Sequence, residues 1–353
     1  MAKEPGYLKS PTRPIEVKER RISDLVDAMR YTGFQGRKLG EAVEAWAEML
    51  KERELAIFLG LSGAMVPAGM RKVIAFLVRE RLVDCVVSTG ANLFHDTAEA
   101  LGTKHYMGSA LADDEDLFRH GIDRMYDVFG LEAKFRETDR LVAQFAKTLD
   151  PEKEYSSREF MHLFGLEVAR RGGDKNSIVV SAARGKVPVF VPALGDSSIG
   201  IGLMIARRKG LRINVSPMKD VDEITQIVEE AKRTGVVYVG GGVPKNFIQQ
   251  TEVITSILGL DLGGHEYAIQ FTTDAPHWGG LSGCTFEEAV SWGKIDPVAR
   301  KVQCFVDATI ALPIVAHALR EKAMGKSRRV PEFDWSGERL RARFKSRKIG
   351  RGR

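Results

Sequence analysis

The stretch TFEEAVSWGK, Thr285–Lys294, sets a lysine two residues after a tryptophan and six after a glutamate. A deprotonated lysine amine is a nucleophile that forms imines, and burial beside an aromatic wall favours that neutral form. An indole face also holds alkylammonium groups. Thr285 and Glu288 have capping-box spacing. Glu288 and Trp292 share a helix face, and Gly293 suits the position just past a helix end. The residues permit an amine-handling imine site at Lys294, with Glu288 as cap, amine ligand or both. Taken alone, Lys294 reads more simply as a solvated charge.

A second set of candidates follows short apolar runs. After LAIFLGL, VDCVVS, VPVFV, VVYV, YAIQF and VQCFV come loops of Gly, Ser, Thr and Asp. Gly241, inside the Gly240–Gly242 triplet, lets a ligand approach the backbone, and Pro244 suits a first helical turn whose free N–H groups attract a pyrophosphate. Asp196 and Asp307 stand where they could accept bonds from ribose hydroxyls. Six such loops together point to a nucleotide site. Only Gly200-Ile201-Gly202 survives of a GxGxxG fingerprint, so a standard dehydrogenase is not supported.

The elements that must position these residues follow from the same pattern. The apolar runs, LRINVS among them, are short and rich in Val and Ile, as in strands buried on both faces, and helix-length segments separate them. The alternation predicts an α/β fold: a Rossmann-like, doubly wound, mostly parallel sheet with helices on both faces. Residues 1–22 read as an N-terminal arm and 23–325 as a single nucleotide-binding domain, with a helical insertion at about 101–180. A helical stretch is expected from Ser23, as N-cap, to about Glu54, broken by TGFQGRKLG. Residues 326–353 form a basic tail.

Composition narrows the class. The chain has 353 residues, 44% apolar and 28% charged, as in soluble globular proteins. No apolar run approaches the length of a membrane span, and the polar N-terminus has no signal core, so a cytoplasmic location is expected. Cys85, Cys284 and Cys304 are widely spaced, which suggests reduced thiols and no metal site. The net charge of +6 belongs to the end of the chain: residues 337–353 carry eight Lys/Arg against one Glu, leaving a body near neutrality. That end is expected to be solvated or disordered, and nucleic-acid binding is not favoured.

Taken in order, TGFQG, FLGLSGAMVPAG, VSTGAN, VPVFVPALGDSSIG, GGGVPK, EEAVSWGKI and VDATIALPIV resemble the deoxyhypusine synthase family over about 25–325. The resemblance implies a homotetramer with sites at subunit interfaces and NAD as cofactor. It implies oxidation of spermidine to an imine, capture of the 4-aminobutyl group by a lysine, and its passage to an acceptor amine, the new imine being reduced by the returned hydride. Lys294 matches the imine-forming lysine, and Trp292 and Glu288 match the polyamine pocket. Thr89, Gly90, Ala91, Asp196, Gly241, Thr273, Asp307 and Ala308 fall at the cofactor.

The departures from the family pattern carry information too. Asn246 stands in place of the family's histidine, His95 in place of a glutamate, and Ile201 and Leu281 in place of two aspartates. A pocket for a polycation should be acidic, so a changed amine substrate is expected. Asp274, His277 and Trp278 are the replacement candidates, His277 as acid/base group. The leading expectation is transfer to a small amine such as putrescine, forming homospermidine. The competing expectations are modification of a lysine on a translation-factor partner, and a nucleotide-binding scaffold without chemistry.

Overall fold

The computed structural model describes residues 8–337 and 339–350. Two helices come first, α1 (Ile22–Met29) and α2 (Phe34–Met49). Ser23 is not the N-cap: Arg21 holds that position, and the Ser23 N–H donates to Glu321 Oε2 at 2.7 Å. The helix break is confined to residues 30–33, and most of TGFQGRKLG lies inside α2. Gly40 there serves close packing, since a Cβ would meet the Val26 carbonyl oxygen at 2.7 Å.

Strand β1 (Leu55–Leu61) is buried along its whole length. It leads through α3 (Arg71–Arg79) to β2 (Cys85–Ser88) and α4 (Gly90–Ala100). The next region departs from the expected helical insertion. It opens with β3 (His105–Met107), α5 (Asp114–Arg119), β4 (Ile122–Met125) and β5 (Val128–Leu131). The three strands form an antiparallel sheet in the order β3-β5-β4. Glycines decide this local fold: a Cβ on Gly130 would meet the Phe135 ring at 2.3 Å, and one on Gly108 the Phe129 ring at 2.5 Å. The helical part follows as α6 (Glu132–Ala146), α7 (Ser157–Arg170) and α8 (Ile178–Gly185), with β6 (Glu154–Tyr155) before α7.

The chain then runs β7 (Val189–Phe190), α9 (Ser198–Arg208), β8 (Asn214–Val215), α10 (Pro217–Ala231) and β9 (Arg233–Val239). It continues with α11 (Gly242–Ile257), β10 (His265–Thr272), α12 (Phe286–Ser291), β11 (Ile295–Phe305) and α13 (Ala308–Ala323). Six strands form one parallel sheet in the order β11-β10-β9-β1-β2-β7. The LRINVS run gives β8, which pairs with β6 outside that sheet. One core packs Trp46, Met49, Ile74 and Phe160 on one face, and a second packs Phe58, Tyr238, Ile224 and Phe286 on the other. The fold is the doubly wound, Rossmann-like α/β class. Strand order reverses between β1 and β9, where such sheets open a crevice beyond their carboxyl ends.

The basic end of the chain is not a solvated tail over its described length. It forms an antiparallel hairpin of β12 (Ser327–Asp334) and β13 (Arg341–Lys348). Its charges alternate with apolar side chains, and Val330, Phe333, Leu340 and Ile349 are buried. Arg328, also buried, pairs with Asp84 beside the start of β2. Net charge alone hid this two-residue period.

Candidate active site at the carboxyl ends of the strands

The parallel register delivers all six strand-end loops to one edge of the sheet, where those after β1, β2, β9 and β10 bond to each other. Thr89 Oγ1 donates to the Gly63 carbonyl at 3.0 Å, and Ser62 Oγ donates to the Gly241 carbonyl. The Gly242 N–H reaches Ser282 Oγ at 3.1 Å, and the Gly240 N–H reaches the Phe271 carbonyl at 2.8 Å. Glycine is required where loops touch: a Cβ on Gly90 would meet Ser197 Oγ at 2.3 Å, and one on Gly241 the Ser282 Cα at 2.4 Å. Thr89, Gly90 and Ala91 start α4, and Thr89 gives that helix no side-chain cap. The first-turn N–H groups of α4 are therefore left for an anion. By contrast, Ser197 caps α9, and Asp307 caps α13 through the Thr309 N–H at 2.7 Å. The bonds from Thr309 hold the Asp307 carboxyl below the usual range, so it is an exposed carboxylate beside Ala308. Asp196 and Thr273 are exposed at the same edge. Uncapped N–H groups and surface carboxylates, on loops that glycines let pack closely, suit a dinucleotide.

Lys294 is placed by the ends of two elements. Thr285 Oγ1 caps α12 by accepting the Glu288 N–H at 3.1 Å. At the other end Gly293 takes a left-handed φ of 69°. Its N–H reaches the Val290 carbonyl at 2.9 Å, and the Lys294 N–H reaches Ala289 at 3.1 Å, closing a Schellman motif. The Lys294 carbonyl accepts from the His265 N–H, and β11 begins at the next residue. With its backbone pinned on both sides, half-buried Lys294 extends Nζ to Asn246 Oδ1 at 3.1 Å. The Trp292 ring centroid is 5.3 Å from Nζ, and the indole is 64% exposed, a free face beside the amine. Glu288 is exposed on the same short helix.

Beneath this surface lies a polar group of residues that the sequence reading missed. Lys245, 1% exposed, donates to Gln270 Oε1 at 2.9 Å and to the Cys284 carbonyl at 2.6 Å. Burial, above all, lowers its amine to about 8. Gln270 Nε2 donates to the carbonyls of Gly240 and Ser282, both at 2.8 Å, tying the glycine turn to the segment before α12. Two signals were available. A lysine on the first turn of a helix opposes its dipole, and a glutamine interrupts the apolar run YAIQFTT.

The remaining candidates separate. Asp274, His277 and Trp278 share the loop after β10; Asp274 accepts the Ala275 N–H, and the rings of His277 and Trp278 lie 4.4 Å apart. His277 is exposed, and no hydrogen bond joins it to Lys294 among the described residues. His95 lies on the second turn of α4, and its Nδ1 faces His105 Nε2 on β3 at 3.0 Å, not Lys294. Burial, then His105, lowers His95 to about 4, so it is neutral near pH 7. Ile201 and Leu281 are partly exposed apolar side chains. A groove of about 580 Å³ between α6 and α7, lined by Phe145, Tyr155 and Leu163, holds none of the candidates.

Comparisons with known proteins converge. The family model for deoxyhypusine synthase matches residues 24–319. A Methanosarcina mazei protein named "Probable deoxyhypusine synthase 2" is 66% identical, covering 94% of this chain and 96% of its own length. A "Probable deoxyhypusine synthase 2" from Archaeoglobus fulgidus is 56% identical over 82% of this chain and 95% of its own length. Each organism also has a relative named "Probable deoxyhypusine synthase 1", to which this chain is only 39% and 40% identical respectively. The crystal structure of a proposed deoxyhypusine synthase from Entamoeba histolytica shares the fold, with a TM-score of 0.59 at 16% identity, covering 86% of this chain and 96% of that one.

Proposed function

The chain belongs to the deoxyhypusine synthase family of transferases, and from that premise we propose that it moves a 4-aminobutyl-type group from spermidine or a related amine through an imine on Lys294. The carrying observation is the Lys294 amine, pinned by the Schellman turn, held at 3.1 Å by Asn246 and walled by an exposed indole. Trp292 and Glu288 receive the cationic chain of the donor, one by its ring face and the other by charge. NAD, when bound across the strand-end loops, would take a hydride from the donor amine and return it to the product. Gly90, Ala91 and Gly241 would lie against its phosphates and Asp196 and Asp307 against its ribose hydroxyls, with Thr89, Thr273 and Ala308 beside them. Lys294 forms a bond to the oxidised donor carbon, the departing amine leaves, and an acceptor amine later displaces the lysine.

The acceptor in this reading is a small amine such as putrescine, giving homospermidine. Three features support it: Asn246 in place of an imidazole, the apolar Ile201 and Leu281, and the two distinct relatives in each of two organisms. A lysine on a protein partner is the second reading, supported by the relatives' names. The assembly in this proposal is a homotetramer in the cytoplasm. Met107, Leu111 and Phe118, apolar side chains at least 86% exposed on one chain, support self-association.

The test supplies NAD, labelled spermidine, and putrescine or a lysine-bearing factor, then traps with borohydride. Label on the Lys294 peptide and homospermidine among the products are expected. Product formed only with the factor would transfer the assignment to the second reading. No label on Lys294 with any amine would overturn the lysine-imine mechanism.

A further inference from the structure

Lys245 has no part in the chemistry described so far, yet its setting is that of a built site. It precedes Asn246 on the first turn of α11, where a cation would ordinarily turn to solvent. Instead its amine is enclosed by two neutral acceptors, Gln270 Oε1 and the Cys284 carbonyl. Both are fixed from behind, because Gln303 Nε2 donates to the same Oε1 at 2.9 Å and to the same carbonyl at 3.4 Å. No carboxylate bonds to Lys245 among the described residues. A neutral amine has two N–H groups, and the two acceptors match them; an ammonium would have a third left over. An ammonium buried without a counter-ion is also costly.

The groups facing Lys245 reinforce this. Phe286 on α12 and Tyr238 on β9 present rings 5.5 and 6.0 Å away, and burial holds the Tyr238 phenol protonated. Burial also raises the Cys284 thiol, so it too keeps its proton. Desolvation lowers Lys245 most; Cys284 and then Glu288 pull it up and Lys294 pushes it down, and the balance leaves it near 8.

Exchange of an imine on Lys294 needs a group of this kind. A proton must leave the attacking nitrogen and reach the departing one. Asn246, the side chain in contact with Lys294 Nζ, accepts no proton near neutral pH. We propose that Lys245 is the proton relay for imine exchange at Lys294, an inference that rests on the lysine-imine reading above. As the Lys294 amine adds to the imine carbon of the donor, a C–N bond forms and the attacking nitrogen passes its proton to Lys245 Nζ. That proton goes to the departing amine as its C–N bond breaks, leaving the imine on Lys294. No oxidant or reductant is consumed in the exchange.

The experiment needs neither NAD nor a polyamine. An absorbing aldehyde, cinnamaldehyde, is condensed onto Lys294 of the full chain, and methoxyamine, which stays neutral across pH 6–9, displaces it. The exchange rate should rise with pH and level off above about 8. In Lys245→Met and Lys245→Gln that limb should vanish and the rate fall about a hundredfold, with added imidazole restoring about tenfold in Lys245→Ala. Variant rates within about twofold of the wild type would overturn the relay. If the variants do not fold, as judged by thermal melting, a wild-type profile without a limb near 8 would overturn it equally. Lys245-dependent exchange in a chain that never takes label from spermidine would sink the donor assignment and keep the relay. Labelling from spermidine with Lys245-independent exchange would do the reverse.

Discussion

Two buried cations stand at opposite ends of the sheet, and their partners differ. At the amino ends of the strands Arg328, 3% exposed, donates to Asp84 at 3.0 Å, and Arg81 reaches the same carboxylate at 3.2 Å. Asp84 also accepts the Ile57 N–H at 2.9 Å, so the charge fixes β1, β2 and the C-terminal hairpin together. At the carboxyl ends Lys245 is as deeply buried but has only an amide and a peptide carbonyl for company. A carboxylate locks a cation in one protonation state; neutral acceptors leave it free to change. The contrast separates the end of the sheet that holds the fold together from the end where the chemistry is proposed.

The largest effect should come from the chemical end. Lys294→Arg should abolish transfer and the borohydride-trapped adduct, because a guanidinium does not form the imine at working pH. NAD affinity, measured by titration calorimetry, should stay within about twofold, since the uncapped start of α4 is untouched. Turnover retained in this variant would remove the chemical role from this end of the sheet.

At the other end the loss should be of stability. Asp84→Ala leaves two buried guanidiniums without a carboxylate, which costs about 3–5 kcal/mol. Urea melting should show it, and the C-terminal hairpin should become sensitive to protease. Imine formation at Lys294 in the folded fraction should be unchanged. An Asp84→Ala chain with an unshifted urea midpoint would mean that the pairing is incidental.

Protonation distinguishes the two cations directly. Lys245 falls from an ordinary value near 10.5 to about 8 on burial. A depressed value contributes stability that is fully present above the unfolded value and is lost as pH falls through the folded one. Wild type should therefore gain on the order of 3 kcal/mol relative to Lys245→Met between pH 8 and 10.5. Arg328→Met leaves Lys245 in place, so its urea midpoint should run parallel to the wild type over that window. Parallel urea midpoints for wild type and Lys245→Met would erase the distinction.

The sheet and the strand-end loops were legible because buried parallel strands write themselves as apolar runs, and small residues mark their carboxyl ends. LRINVS misled because two residues of pairing, with β6, look the same in sequence as a strand of the main sheet. The insertion misled because its charges sit on strands as readily as on helices, while the glycines that admit Phe129 and Phe135 act through space. Lys294 drew notice through its neighbours Thr285, Trp292 and Gly293, but only the family resemblance raised it above a solvated charge. Lys245 carried only weak signals, because its partners Gln270 and Cys284 reach it from another strand and a loop, and Gln303 fixes those partners only once the chain is folded. His95 was placed with the amine pocket on resemblance, and its partner His105 comes from the unforeseen antiparallel sheet.

The smallest effects concern how firmly the chemical end is held. Thr285→Ala removes the N-cap of α12 and should cost about 1 kcal/mol. Gly293→Ala puts a Cβ on a residue at φ 69°, with open space around it, and should cost a similar 1–2 kcal/mol through the backbone alone. The two variants load opposite ends of the same short helix, yet only the second alters the turn that aims Lys294. At matched loss in urea midpoint, Gly293→Ala should therefore lower the rate of aldehyde imine formation several-fold more than Thr285→Ala. Equal rates in the two would mean that Lys294 is aimed by its contact with Asn246 and not by the Schellman turn, and Asn246→Ala should then carry the loss.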